Sequence, residues 1–206
     1  MTEQTRTGRP PLTERRKAET RLEVAHAAVE LYLAKGLANT TADEIAAAVG
    51  ISTRTLWRYF PTKESFVMPL LAGGIENVAE RLRSWGRDQG PAELVELLSP
   101  LSPLPDSNFP TVRELLRLSQ TEPGLRAVWL EAHRNAEPEF ARALADRAGL
   151  KEPDLTCSVQ AGMINVALRV AVEHCAFHTD ATVATYHNSI RAAVTVAVSG
   201  FPASKE

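Results

Sequence analysis

Two observations predict an all-α fold for this 206-residue chain. Apolar residues recur at three- and four-residue intervals through most of its length, and no alternating Val, Ile and Thr run reads as a strand. Turn and cap residues cut this pattern into about nine helices. The composition, 44% hydrophobic and 23% charged, excludes disorder as the main state.

Helix one is expected from about Thr13 to Lys35, with Leu22, Ala25, Val29, Tyr32 and Leu33 on its inner face and Gly36 as its stop. Thr41 stands three residues before Glu44, the spacing of a capping box, so a second helix runs from about Ala42 to Val49 and breaks at Gly50. Ser52 or Thr53 caps a third, Arg54 to Phe60, which stops where Pro61 disfavours helical backbone in the residue before it. A long fourth helix begins near Thr62, with a break or bend expected at Gly73-Gly74, and carries Ile75, Val78, Leu82 and Trp85. Between Gly90 and Pro110 a short helix around Leu94, Leu97, Leu98 and Leu101 precedes a loop at Ser102 to Asn108. Thr111 to Ser119 is a short helix, and Leu125 to Arg147 stripes Leu125, Trp129, Ala132, Ala136, Phe140 and Leu144 along one face before Gly149 ends it. Helix eight follows Pro153 to about Phe177, with Leu155, Val159, Met163, Val166 and Val170 inward. Helix nine spans about Ala181 to Ser199 through Val183, Tyr186, Ile190, Val194 and Ala197.

The net charge of −2 rules out a uniformly basic coat, but it hides a gradient. Residues 1–21 carry six basic and three acidic side chains, whereas residues 66–206 carry 13 basic and 17 acidic. An anionic partner is therefore expected at the N-terminal part. Cys157 and Cys175, about 27 Å apart if both lie on one helix, suit reduced thiols rather than a disulfide. No stretch approaches the ~18 consecutive apolar residues of a membrane span, and Met1 to Lys17 lacks the apolar segment of a secretory signal. A cytoplasmic, nucleoid-associated location is the expectation.

The stretch Thr40 to Phe60 carries the functional signal. A capped helix, a glycine turn and a second short helix form a helix-turn-helix that Ile45, Val49, Ile51 and Leu56 can pack together. Thr53, Arg54, Trp57, Arg58 and Tyr59 are left as the outer surface of the second helix, a set that fits a DNA major groove. Arg donates two hydrogen bonds to guanine, Thr meets base edges or a thymine methyl, and Tyr or Trp reaches phosphate oxygens. Lys63, at the next helix start, suits phosphate. The preceding tail, with Arg6, Arg9, Arg15 and Arg16 around Gly8 and Pro10-Pro11, either reaches the minor groove or stays solvated.

This motif, followed by Pro61-Thr62-Lys63-Glu64 and preceded by the first helix, resembles the tetracycline-repressor (TetR) family of bacterial transcription regulators over about residues 15–66. The resemblance implies a basic arm at 1–17, a DNA-binding domain at 18–64 and a ligand-binding and dimerisation domain at 65–206. It further implies a homodimer on a palindromic operator, usually a repressor, released when a small molecule enters the C-terminal domain. By position, Thr53, Arg54, Thr55, Arg58 and Tyr59 match base-facing residues, and Thr41, Trp57 and Lys63 match residues that hold phosphates. Two positions depart: Trp57 stands where Tyr is common, and Arg54 where a small residue is frequent.

Trp85, Leu116, Trp129, His133, Phe140, Met163, Asn165, Arg169 and Phe177 lie on helices that converge in such ligand domains, and are the candidate pocket walls. Helices six to nine, including the stretch Asn165 to Ala171, are similar to a subgroup whose C-terminal domain is described as acyl-CoA-like ligand binding, which implies a long, partly apolar inducer. Small residues Ala161, Gly162, Ala167, Ala171, Ala192, Ala193 and Ala197 give helices eight and nine a second face for close approach, so a four-helix dimer interface is expected there. Two recognition helices then address half-sites roughly 34 Å apart.

No phosphate loop, nucleophile–base pair or carboxylate pair supports catalysis, and no cofactor is implied. His174 and His178 have the i, i+4 spacing of a metal pair, but no zinc motif accompanies them, so no metal is expected. Two other readings stay open: a ligand-independent architectural DNA binder, and a helical enzyme carrying a helix-turn-helix.

Overall fold

Capping side chains and left-handed glycines set many of the helix boundaries. The computed structural model describes residues 12–99, 109–178 and 182–200, within which there are nine α-helices, one 3₁₀ turn and no strand. The expected loop at Ser102 to Asn108 and the tail bearing Arg6 and Arg9 lie outside the described residues. The chain divides into two compact units, Met1–Pro69 and Leu70–Glu206.

In the first unit, α1 (Leu12–Lys35), α2 (Ala42–Ala48) and α3 (Thr53–Tyr59) are followed by the 3₁₀ turn Glu64–Val67 and the start of α4 (Met68–Ser84). Gly36 ends α1 at φ 84°, where a side chain would be strained. Thr41 closes the capping box of α2: its hydroxyl oxygen accepts from the Glu44 N–H at 3.3 Å while the Glu44 carboxylate accepts from the Thr41 N–H at 2.9 Å. Ser52 caps α3 by accepting from the Thr55 N–H at 3.1 Å. Ile45, Leu56, Tyr32, Phe66 and Val67 fill the core, whereas Val49 and Ile51 are only half-buried. The inner face of α1 is Val24, Ala25, Ala28, Val29 and Tyr32; Leu22 and Leu33, expected inward, are exposed. Both lie off the stripe that one turn of 3.6 residues repeats.

Glu44 also pairs with Lys35. Its carboxyl is held down from 4.5 to about 2, chiefly by the Lys35 hydrogen bond and then by the Thr41 N–H and hydroxyl. A depressed carboxyl stabilises the fold at pH values above its unfolded value and loses that contribution as pH falls. Thermal melts are therefore expected to weaken between about pH 4.5 and 2, and Glu44→Gln to flatten the pH dependence in that window. An unchanged acid limb in the variant counts against this assignment.

The second unit continues α4 and adds α5 (Pro91–Leu98), α6 (Phe109–Leu118), α7 (Pro123–Ala148), α8 (Leu155–His178) and α9 (Val183–Ser199). α8 is central: it packs against α6, α7 and α9, and α5 packs on α9. α4 runs unbroken through Gly73-Gly74, correcting the expected break. Burial of Leu70, Leu71, Ile75 and Val78 around the pair outweighs a helix cost of about 1 kcal/mol per glycine.

The faces of α8 are the reverse of those expected. Leu155, Val159, Met163, Val166 and Val170 are all exposed, whereas Ala161, Ile164, Ala167, Leu168 and Ala171 are buried. Small residues let α8 approach α7 and α9 closely, which turns the bulky stripe outward. Of the remaining small residues, Gly162, Ala193 and Ala197 are half-buried and Ala192 is exposed. On α9, Tyr186, Ile190 and Val194 are buried and Val183 is exposed. By length and composition α8 is also apolar enough to cross a membrane. Its inner face is instead protein core and holds the buried polar residue Asn165.

Candidate nucleic-acid interface and C-terminal cavity

The second helix of the helix-turn-helix presents Arg54, Trp57 and Arg58 to solvent. Among the described residues neither arginine is drawn into an ion pair, so both guanidinium groups keep their donors available. Arg58 leans over the Tyr59 ring at 5.3 Å, and Arg21 of α1 approaches the same ring at 5.2 Å. The aromatic ring between two cations keeps them spread along one surface. Trp57 is 45% exposed but rests against Phe66, ring centroids 5.3 Å apart, so its indole is anchored at one side.

Other candidates hold structural bonds. The Thr53 hydroxyl donates to Asp43 Oδ1 at 2.5 Å, tying α3 to α2, and the Thr55 hydroxyl lies 2.9 Å from the Ser52 cap. Thr41 is exposed, with its hydroxyl donating to Glu44 at 2.8 Å. Lys63 Nζ donates to the Leu37 carbonyl at 2.5 Å and the Thr40 carbonyl at 2.8 Å, while the Lys63 carbonyl accepts from the Tyr32 hydroxyl at 2.6 Å. Two of its three ammonium donors therefore serve the turn between α1 and α2. Lys63→Met is expected to destabilise the fold by about 1–3 kcal/mol, the cost of leaving part-buried carbonyls unpaired. A thermal melt in the absence of DNA tests this, and an unchanged midpoint opposes it. Arg15 and Arg16 of the proposed arm fall within α1, where Arg15 pairs with Glu19 at 2.8 Å.

The second unit holds a narrow, partly open cavity, of which about 40 Å³ is wide enough for the centre of a water molecule. Its walls come from α4 (Leu70, Leu71, Gly74, Ile75, Val78), Val112 of α6, Trp129 and His133 of α7, Asn165, Leu168 and Val172 of α8, and Tyr186 and Ile190 of α9. Of the nine pocket candidates, Trp129, His133 and Asn165 are in this cavity. Leu116 and Phe140 are fully buried core residues. Trp85 and Met163 line a separate groove, where the Arg147 guanidinium stacks 3.6 Å from the Trp85 ring centroid. Arg169 is held by Glu173 at 3.1 Å, and Phe177 packs on His178. These six occupy other surroundings because the helices that carry or adjoin them present more than one face to neighbouring elements, so spacing alone does not say which face meets the cavity. The α4 and α9 walls were missed, although their three- and four-residue spacing marked an inward face. His174 and His178 stack on one another, ring centroids 5.1 Å apart.

A buried polar chain runs behind the cavity. Asn165 Nδ2 donates to the His133 carbonyl at 3.0 Å and to Glu137 Oε1 at 2.9 Å, and Asn165 Oδ1 lies 2.6 Å from His133 Nδ1. Trp129 Nε1 donates to Glu173 at 2.8 Å. Burial pushes the His133 imidazole below its ordinary pKa, despite the opposing bond from Asn165 and the Glu173 and Glu137 carboxylates. The ring is therefore neutral near pH 7. Glu137 and Glu173 were unremarkable in sequence, since acids on helices normally face water.

A capped helix pair with an outward cationic face, joined to a helical unit that holds an apolar cavity, defines a helix-turn-helix regulator. Residues 24–68 match the family model described as bacterial regulatory proteins, tetR family. The chain is 29% identical over 152 residues to the transcriptional regulator TcmR of Streptomyces glaucescens, covering 70% of this chain and 67% of that one. It is 29% identical over 168 residues to the transcriptional regulator MftR of Mycobacterium tuberculosis, covering 78% and 81% respectively. Among solved structures, Thermus thermophilus FadR, a TetR-family repressor in complex with lauroyl-CoA, is similar at 21% identity and TM-score 0.55, covering 90% of this chain and 97% of that one. A TetR-family regulator from Mesorhizobium loti is similar at 19% identity and TM-score 0.52, covering 89% and 97%. Residues 24–68 thus carry the tetR-family signature, the fold is that of TetR-family structures, and the relatives matched in sequence are transcriptional regulators.

Proposed function

We propose that this protein is a repressor that binds a palindromic operator as a homodimer and leaves it when a small molecule occupies the C-terminal cavity. The observation that carries the reading is the outward pair Arg54 and Arg58 on a helix short enough to enter a major groove. Thr53, Thr55 and Tyr59 complete the base-facing set, and Thr41, Trp57 and the remaining donor of Lys63 face phosphates. Pairing of two copies through the bulky outward stripe of α8 accounts for five large apolar side chains left in water. A location with the DNA, in the cytoplasm and at the nucleoid, follows.

The cavity supports an apolar inducer. Among its described lining residues there is no Lys or Arg, so an acyl-CoA phosphate finds no cation there. Occupancy displaces α4, which supplies five wall residues and begins two residues after Phe66, the partner of Trp57. By linkage, the inducer lowers operator affinity by the factor with which operator lowers inducer affinity, typically ~1–3 kcal/mol.

Selection of bound sequences from random duplexes, at a stated near-physiological salt concentration, tests the DNA reading. The expected result is an enriched palindrome with half-sites about one helical turn apart. Binding without enrichment supports a ligand-independent architectural role instead.

A further inference from the structure

We infer that the cavity is a site for a neutral, mainly apolar molecule that presents one hydroxyl donor, a phenol or alcohol, to Nε2 of His133. The inference deepens the inducer reading and rests on it for its regulatory meaning, but its geometry is independent of DNA.

Asn165 sets which ring nitrogen of His133 carries the proton. Its amide nitrogen faces the His133 carbonyl and the Glu137 carboxylate, both of which only accept, so the amide can point only one way. Asn165 Oδ1 is then the atom turned to His133 Nδ1, and a hydrogen bond at 2.6 Å requires the proton to sit on Nδ1. In a neutral ring this leaves Nε2 as an acceptor. His133 is 95% buried, being 5% exposed, it lines the cavity, and Nε2 has no hydrogen-bond partner among the described residues. The polar atoms of Trp129 and Asn165 are already taken, by Glu173, His133 and Glu137. With the Tyr186 hydroxyl as the one other polar group on the wall, this unpaired buried acceptor favours a ligand that brings one donor, since a ligand without it leaves Nε2 unsatisfied. An anion brings only further acceptors, and it meets the Glu137 and Glu173 carboxylates behind the wall, the second of them paired with Arg169.

Three probes of one shape test this on the full-length protein: 2-naphthol, 2-methoxynaphthalene and 2-naphthoate, titrated by calorimetry without DNA. The naphthol is expected to bind about tenfold tighter than its ether, one net hydrogen bond's worth, and the naphthoate most weakly. Nitrogen-15 spectra of the imidazoles give a second readout. His133 should appear with the proton on Nδ1, and its Nε2 resonance alone should shift with naphthol and not with the ether. His133→Phe should abolish the selectivity, and His133→Gln, which keeps an acceptor, should restore part of it. If His133→Phe fails to fold, the probe ranking and the tautomer in the unmodified protein decide. Equal affinity of naphthol and ether, tight naphthoate, a proton on Nε2, or no naphthol binding at millimolar concentration overturns the assignment. Operator release is measured separately. Naphthol bound without release leaves the site standing and counts against the inducer reading, whereas operator release by compounds lacking a donor, unaffected by His133→Phe, does the reverse.

Discussion

Glutamate placed at both Val159 and Val166 is expected to leave a folded monomer that no longer holds its operator at concentrations where the native protein does. Both side chains are about half exposed, at 53% and 48%, on the face of α8 turned away from α7 and α9. Neither substitution opens a hole in the protomer core, so helix content and melting of the isolated chain should change little. In a two-fold interface each substitution occurs twice, and four unpaired carboxylates are buried at once. Each costs several kcal/mol, enough to raise the dimer dissociation constant more than a thousandfold. One DNA-reading head then binds without its partner, losing the roughly millimolar effective concentration that tethering supplies. Sedimentation velocity with circular dichroism checks the assembly. A double variant that remains a dimer would show that the α8 stripe is not the interface.

Arg58→Ala is the second large effect. A bidentate arginine contact to guanine is worth about 1–3 kcal/mol per half-site, so a dimer that loses two is expected to bind its operator some 30-fold to 10⁴-fold more weakly. The variant should also relax the preference at one symmetric pair of positions, because base contacts carry sequence information and phosphate contacts do not. Arg54→Ala should behave alike at a neighbouring position. Both side chains are exposed, so melting should hold. A uniform loss across all sequences, with a shallower salt dependence, would reassign either arginine to phosphate.

The helix-turn-helix was legible because its determinants are local. Thr41 with Glu44, Ser52 with Thr55, and the glycines at 36 and 50 each act within four residues, so spacing alone reveals them. Lys63 was read as a phosphate ligand because a lysine beside a DNA-facing helix ordinarily is one. The carbonyls it serves lie 23 and 26 residues away in sequence, beyond any local pattern. α8 was correctly bounded to within a residue and wrongly oriented, since a helix apolar on two faces has no periodicity that says which side the protomer keeps. The cavity was partly legible: Trp129, His133 and Asn165 were named, but five helices contribute walls and only assembled packing brings them together.

The narrowness of that cavity bears on time as well as affinity. With about 40 Å³ wide enough for the centre of a water molecule, the cavity is too narrow as it stands for a ring-sized molecule, so the proposed inducer would have to part its walls. Opening then precedes capture, so the association rate is capped by how often α4 and its neighbours fluctuate apart and stops rising with ligand concentration. The same gate slows departure. On the proposed function, a regulator built this way would filter out brief pulses of its signal and, once filled, keep a short memory of it after the supply falls.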